Sequence, residues 1–382
     1  MNKKKKLIFV TWSLSLGGGE ARSTTEILNN INLDKYDVDV WEFNHGNKVL
    51  DVRKEIHFLP SIVNCQEDNI QNQRRVLNHY SHHPELVTNL FNNEYDCAIA
   101  CGKGLTSYIV AHIPALKRIV WVRGASHDVD VNLAACDSEK SKIGREYQRQ
   151  SEAFDKFDKI IAISDSMFIS LSNLFPKHKS KIKKIYNNID VAKVRRKATE
   201  QIDIYQPSHN NVLVNVGRLR EVKNQKLLID MMKILTSRKE DIELIIIGDG
   251  LLEDELRKYV KEQKLENHVK LVGYYANPFP LIKKSKIFCL SSLSEGFCLS
   301  ISEACALGLP FVSTKVGGAE ELLNRGECGI LANYDPDDFA NKVEVLLEDN
   351  ELYNRYKQNC EMVSNKFDIK ELTAEVEELI EE

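Results

Sequence analysis

The sequence predicts an α/β protein made of two doubly wound parallel sheets, each forming its own domain. Three observations carry this. Short apolar strands alternate with amphipathic helical stretches. The alternation stops in a polar passage around residues 198–210 and then restarts. The 382 residues are enough for two domains that each bury a core.

In the first half, strands are expected at 7–12, 38–43, 96–101, 118–122 and 159–164. In the second half a strand runs from Asn211 to Gly217-Arg218, followed by a helix over 224–237, a strand at 242–248 and a helix over 251–262. Strands at 269–273 and 286–290 follow. The last segment, 351–382, reads as helical and highly charged. The expected division is a first Rossmann-like domain at 1–195, a second at 196–360, and a C-terminal helical segment at 361–382. Ligands of doubly wound sheets bind at the carboxyl ends of the strands, so chemistry is sought there.

Composition excludes several classes. Charged residues make up 28% and hydrophobic ones 43%, the balance of a globular protein rather than of a disordered or coiled-coil chain. A formal net charge of −4 argues against nucleic acid as the main partner. The cysteines lack CxxC pairs, and Cys97, Cys101, Cys289 and Cys305 fall inside apolar runs. They are expected to be small buried hydrophobes in a reducing compartment, without disulfides or zinc. The start of the chain, Lys3 to Lys6 followed by Leu7-Ile8-Phe9-Val10, imitates a secretory signal. Its apolar run is short and leads into Gly17-Gly18-Gly19-Glu20, which fits a strand, a glycine loop and a helix better. No run approaches the roughly 20 apolar residues of a membrane span.

The densest chemistry lies in Ser294-Glu295-Gly296-Phe297-Cys298-Leu299-Ser300-Ile301-Ser302-Glu303. Glu295 is expected in a strand-to-helix loop, and Glu303 within a helix whose core face is Leu299, Ile301, Ala304, Cys305 and Leu307. If the intervening residues are helical, the two carboxylates stand roughly 12 Å apart at about 1.5 Å of rise per residue. That exceeds the roughly 5–9.5 Å used by two carboxylates acting on one glycosidic bond. They would hold different parts of one extended ligand. The bland alternative is a dipole-favoured Glu295 and a surface Glu303.

Arg218 and Lys223 put two cations at a strand end and the start of a helix, a pattern suited to a diphosphate, with solvated surface pairs as the alternative. Gly17, Gly18 and Gly19 let backbone approach a ligand or simply make a tight turn. Gly248-Asp249-Gly250 ends another strand, with Asp249 suited to cap the following helix. Tyr274 and Tyr275 could stack on a base or belong to the core.

On these residues the chain resembles the retaining glycosyltransferases of family 4, whose hallmark is the E-x7-E element matched by Glu295 and Glu303. The resemblance covers the second domain strongly and the first weakly. It implies the GT-B fold, two facing Rossmann-like domains with C-terminal helices crossing back to the first. It implies a nucleotide-sugar donor, UDP-linked, and a saccharide or lipid-linked saccharide acceptor in cell-surface glycan synthesis. In that family Arg218 and Lys223 correspond to the pyrophosphate clamp, Glu303 to the ribose contact and Glu295 to the sugar contact. Gly296, Phe297, Cys298 and Leu299 would offer backbone amides to sugar and phosphate. Gly17 to Gly19 match a loop facing the sugar, Gly248 a glycine segment of the donor site, and Tyr274-Tyr275 the region of the base. The Gly317-Gly318 segment, Asn187 to Asp190 and Ser164 match structural or cleft-facing loops.

Family members place a histidine directly after a first-domain strand, where this chain has Arg123; the nearby histidine is His127. Both are candidates for its catalytic role. The sequence is read as lacking the D-x-D pair of a metal-bridged donor site, so no metal and no cofactor are expected. The lysines among residues 175–184 and Lys3 to Lys6 could hold an anionic membrane or be a solvated face. The expected location is cytoplasmic, with peripheral contact at the inner face of the plasma membrane. The alternative function is a non-catalytic partner that keeps the fold and binds a glycan or a catalytic subunit. A nicotinamide dehydrogenase is disfavoured, because the G-x-G-x-x-G fingerprint and its later acidic residue are absent.

Overall fold

The computed structural model describes residues 3–15, 18–44, 51–62, 70–91, 94–123, 137–187, 189–201, 203, 205–323 and 327–382. The chain forms two compact units, one of Met1–Asn187 with Ile369–Glu382 and one of Asn188–Asp368.

The first unit holds β1 (Lys5–Thr11), β2 (Tyr36–Glu42), β3 (His57–Phe58), β4 (Tyr95–Ala100), β5 (Ala115–Val122), β6 (Lys159–Ala162) and β7 (Ile182–Lys184). They pair in parallel in the order β3-β2-β1-β4-β5-β6-β7. The apolar runs are strands because both faces are covered, as parallel sheets require. Leu7, Ile8, Phe9 and Val10 of β1 and Cys97, Ala98, Ile99 and Ala100 of β4 are all at most 1% exposed. β3 and β7 escaped the sequence reading, being very short, one of them polar, and both at sheet edges.

The second unit holds β8 (Asn211–Val216), β9 (Ile242–Ile247), β10 (Val269–Leu271), β11 (Ile287–Leu290), β12 (Phe311–Thr314) and β13 (Gly329–Ala332). Their order is β10-β9-β8-β11-β12-β13, again parallel. Its core joins Leu213, Leu244, Ile246, Ile287 and Val312 to Leu228, Met231 and Met232 of the helix Gln225–Arg238. In each sheet the strand order reverses beside the first strand, between β1 and β4 and between β8 and β11. Such switch points are where doubly wound sheets open a crevice.

Two local expectations change. The C-terminal segment is not one helix: Asn350–Ser364 and Ile369–Glu381 are separated by a short 3-10 turn at Asn365–Phe367. Phe367 is buried there, and Ile189 bridges Asp368, which keeps the chain through Asp368 within the second unit. At the other junction, Val191–Lys197 packs on second-unit helices Leu299–Ala306 and Phe279–Lys284, so that unit begins at Asn188 rather than at 196.

Ile369–Glu381 is fastened to the amino ends of the first sheet. Asn32 N–H donates to Glu377 at 2.9 Å, and the Tyr36 hydroxyl donates to Glu381 at 2.8 Å. Lys5 pairs with Glu381 at 2.6 Å, while Lys159 and Lys183 hold Glu382 at 2.7 and 2.8 Å.

Candidate functional site

In the second unit, the carboxyl ends of β8 and β11 lie side by side because the strands pair. Gly217 follows β8, and a 3-10 turn at Glu221–Lys223 delivers Lys223 before the helix Gln225–Arg238. Lys223 therefore sits one turn ahead of the helix, and Asn224 in the left-handed region (φ 47°) makes the joint. Ser291, Ser292 and Glu295 follow β11. Lys223 Nζ donates to Glu295 Oε1 at 2.5 Å, and Ser292 Oγ donates to the same oxygen at 2.7 Å.

Backbone contacts hold these two segments together. Ser291 Oγ donates to the Lys223 carbonyl at 2.9 Å, and Leu293 N–H to the Val222 carbonyl at 2.8 Å. Thr314 Oγ1, at the end of β12, donates to the Ser292 carbonyl at 2.6 Å. Arg218 is exposed, and its carbonyl accepts from Gln225 Nε2 at 3.1 Å. Gly248 stands at φ 145°, where a Cβ would lie 2.0 Å from the Gly217 carbonyl oxygen. Only glycine lets the ends of β8 and β9 come this close.

The E-x7-E element is only partly helical. The helix spans Leu299–Ala306, so Glu295 to Cys298 form a loop, and the roughly 12 Å separation derived from continuous helix does not apply. Glu295 is thus not a first-turn helix residue. Glu303 is not a surface residue either, being 1% exposed. Gly296 is half-buried, while Phe297, Cys298 and Leu299 turn their side chains into the core. Phe297 packs on the Phe367 ring at 5.7 Å, and the Cys298 thiol donates to the Gly317 carbonyl at 3.2 Å. Burial pushes that thiol well above the usual cysteine range. The Leu299 amide donates to the Phe297 carbonyl at 3.0 Å.

Asp249 is exposed and does not cap a helix; the helix Glu253–Glu262 starts after Leu252. The reason is that the Asp249 carbonyl accepts from Leu219 N–H at 2.7 Å, which draws the turn toward β8. Tyr274 is 59% exposed. Tyr275 is half-buried, and its hydroxyl accepts from Tyr205 N–H at 3.1 Å.

In the first unit, the switch point between β1 and β4 carries the helix Gly19–Asn30, with Gly18 at its N-cap. Glu20 Oε1 accepts from Thr11 Oγ1 at 3.2 Å, and a Cβ on Gly102 would lie 2.9 Å from Glu20 Oε2. Burial pushes the Glu20 carboxyl above its ordinary range, against the pull of Arg123, Thr11 and the Trp12 backbone. Arg123 Nη1 donates to the Glu20 carbonyl at 2.9 Å and to Thr24 Oγ1 at 3.3 Å. These bonds tie Arg123 to the first two turns of the helix Gly19–Asn30. His127 and Gly17 lie outside the described residues. Ser164 caps the helix Asp165–Leu174 through Met167 N–H at 3.1 Å. Asn187 accepts from Ser23 Oγ at 3.1 Å.

Contrary to the expectation, the chain holds D-x-D strings, at 37–39, 128–130 and 335–337. Asp37-Val38-Asp39 lies in β2, where Asp39 accepts from the Tyr95 hydroxyl at 2.6 Å and pairs with His57 at 2.8 Å. Asp128-Val129-Asp130 lies outside the described residues. Among the described residues no cluster of His, Cys, Asp and Glu is arranged to hold a metal ion.

The basic segment at 175–184 is less bare than its sequence. Lys177 pairs with Asp155 at 2.7 Å, Lys184 with Asp165, and Lys183 with Glu382 at 2.8 Å. Lys181 donates to the Phe154 carbonyl at 3.2 Å. Near the start of the chain, Lys4 donates to the Leu33 carbonyl at 2.7 Å and Lys5 pairs with Glu381. Among the described residues, no helix is long and apolar enough to cross a membrane.

Sequence reasoning missed Ser292, Ser291 and Thr314. Isolated hydroxyl residues at strand ends give no spacing signal; only the pairing of β8, β11 and β12 makes them partners of the lysine and glutamate.

Comparison with known proteins bears on both units. Residues 197–362 match the family model described as Glycosyl transferases group 1. A Campylobacter jejuni protein named N-acetylgalactosamine-N,N'-diacetylbacillosaminyl-diphospho-undecaprenol 4-alpha-N-acetylgalactosaminyltransferase is 32% identical over 217 residues, covering 56% of this chain and 58% of the relative. The chain spans only 58%, 59% and 65% of the length of three curated relatives that it matches. Among solved structures, Anabaena HepE in complex with UDP and glucose aligns with a TM-score of 0.71 at 21% identity, covering 99% of each chain. Sucrose-phosphate synthase from Thermosynechococcus elongatus aligns with a TM-score of 0.80 at 13% identity, covering 98% of each. The chain therefore has the GT-B fold, two Rossmann-like parallel-sheet units, and its residues 197–362 carry the sequence pattern of Glycosyl transferases group 1.

Proposed function

We propose that this chain is a retaining glycosyltransferase that moves a sugar from a UDP-linked donor to a hydroxyl of a saccharide or lipid-linked saccharide, without a metal ion. One observation carries this: Lys223 and Glu295 meet at the β8/β11 switch point, within the residues that match the group 1 pattern. A cation and a carboxylate at one crevice suit a ligand that has both phosphates and hydroxyls. The UDP class is supported by HepE, which was solved with UDP and glucose. The lipid-linked acceptor is supported by the Campylobacter relative, whose name carries diphospho-undecaprenol.

In this mechanism Arg218 and Lys223 stabilise the diphosphate as it departs, where negative charge develops. Glu303 accepts from ribose hydroxyls and Glu295 from sugar hydroxyls. The acceptor hydroxyl attacks from the face the diphosphate leaves, and the leaving phosphate takes its proton. No side chain is the nucleophile, and the two cations take the place of a divalent ion. The first unit binds the acceptor. Peripheral contact with an anionic membrane would fall to exposed lysines such as Lys179, since its neighbours are paired.

The second reading is a non-catalytic GT-B partner subunit. Arg123 favours it, because this residue stands where the resembled family has histidine and is spent on the helix Gly19–Asn30. A calorimetric panel of UDP, GDP, ADP and their sugar conjugates, with EDTA or magnesium, separates the two. Selective binding of uridine nucleotides unaffected by EDTA is expected. Binding by no nucleotide would overturn the enzyme reading, and an EDTA-sensitive signal would overturn metal independence.

A further inference from the structure

Glu295 Oε1 takes two donors at once, Lys223 Nζ at 2.5 Å and Ser292 Oγ at 2.7 Å. The ion pair is sheltered, with the lysine side chain 28% and the glutamate side chain 14% exposed, so water and salt screen it less than a surface pair. The backbone of Lys223 and of the strand end that leads to Glu295 is fixed. Ser291 Oγ holds the Lys223 carbonyl, Leu293 N–H holds the Val222 carbonyl, and Thr314 Oγ1 holds the Ser292 carbonyl. The lysine stem passes over Gly217, 3.8 Å from the place a Cβ would occupy, so no side chain stands between it and the end of β8.

We infer that Glu295 is the resident counterion of Lys223 and is displaced from it by the donor's diphosphate, so that phosphates and sugar are recognised through one exchange of partners. This rests on the nucleotide-sugar reading above. When Lys223 turns to the phosphates, Glu295 loses a cation and would be left as a sheltered, unpaired carboxylate. Ser292 keeps one hydrogen bond to it through the exchange and acts as a positioning residue. The hydroxyls of the transferred sugar supply the missing donors. A bare nucleoside diphosphate brings none, so it meets a competing carboxylate that a sugar nucleotide satisfies. The site therefore discriminates against its own diphosphate product, and Glu295 reclaims Lys223 as that product leaves.

The test is calorimetry on the full chain with UDP, ADP, GDP and phosphate-free uridine, comparing wild type, Glu295→Gln and Ser292→Ala. Glu295→Gln keeps the shape but removes the competing charge, and should bind UDP roughly threefold to tenfold more tightly with uridine unchanged. Ser292→Ala leaves Glu295 more dependent on Lys223 and should bind UDP more weakly. Folded Glu295→Gln that binds UDP no more tightly than wild type overturns the inference while leaving the nucleotide reading intact. If Glu295→Gln does not fold, Ser292→Ala decides: UDP affinity equal to or above wild type overturns it. Wild type that binds none of the three diphosphates overturns the nucleotide reading, and the exchange with it.

Discussion

Arg123, at the end of β5, donates through Nη1 to the backbone carbonyl of Glu20 at 2.9 Å. The same nitrogen reaches Thr24 Oγ1, so one guanidinium ties the end of β5 to the first two turns of the helix Gly19–Asn30. Arg123→Ala would leave a sheltered carbonyl and the Glu20 carboxyl without their cation, at a cost of about 2–4 kcal/mol. Denaturant unfolding should show that loss, Arg123→Lys should recover part of it, and UDP affinity should stay near wild type. Unchanged stability with lost transfer would return Arg123 to a ligand-contacting role.

Glu20 makes the stability of the first unit depend on pH. Burial raises its folded-state pKa above the ordinary 4.5, so the folded chain keeps this proton longer than the unfolded chain. Stability from this group is then greatest below the ordinary value and falls as pH rises through the folded one, by about 1.4 kcal/mol per unit of elevation. Glu20→Gln removes the slope. Melting temperatures of both proteins between about pH 4 and pH 8 should converge at the acid end and separate toward neutrality, with wild type relatively weaker. Parallel curves would mean Glu20 is not perturbed.

The two sheets were legible because their strands are apolar runs wrapped on both faces, as in β9 and its Ile245, Ile246 and Ile247. Arg218, Lys223, Glu295 and Glu303 could be singled out as candidates because they sit at fixed spacings beside those strands. What could not be read was where spacing gives way to pairing. Ser292 joins Lys223 and Glu295 only because β8 and β11 are neighbours despite their distance in sequence, Leu213 standing against Ile287. Arg123 looked free for chemistry because its partners lie about 100 residues earlier, with separations of 103 and 99. The break at Asn365–Phe367 was hidden because the helices on both sides share one charged, helix-forming composition.

Glu243 anchors the polar passage ahead of β8. This fully buried carboxylate accepts from the Tyr205 hydroxyl at 2.5 Å, Ser208 N–H at 2.8 Å and Ser208 Oγ at 3.1 Å, with His209 Nδ1 at 3.2 Å. Burial works to raise its pKa, but these hydrogen bonds outweigh burial and hold it below the ordinary range. The stability it contributes is therefore present above the ordinary value and is lost as pH falls through the folded one. Glu243→Gln should cost about 2–3 kcal/mol at neutral pH, with the penalty shrinking in acid. Unfolding curves at neutral and acid pH check this, and a penalty that does not change with pH would show that the charge contributes nothing.

Glu303 and Lys223 should fail differently when removed. Glu303 is a 1% exposed carboxylate on the helix Leu299–Ala306, buried before any ligand arrives. Its contacts with ribose would be the same in the bound ground state and the transition state, so Glu303→Ala should weaken nucleotide binding by about 2 kcal/mol. Lys223 enters binding with its charge already engaged by Glu295. Its attraction to the diphosphate is offset by the pair it gives up, so Lys223→Ala should change UDP affinity little. The charge that grows on the departing diphosphate exceeds that of the ground state, and there the lysine's absence should lower kcat by about 100-fold. Calorimetry with UDP alongside steady-state transfer kinetics separates the two effects. Equal, small effects of both variants on rate and affinity would rule out these roles.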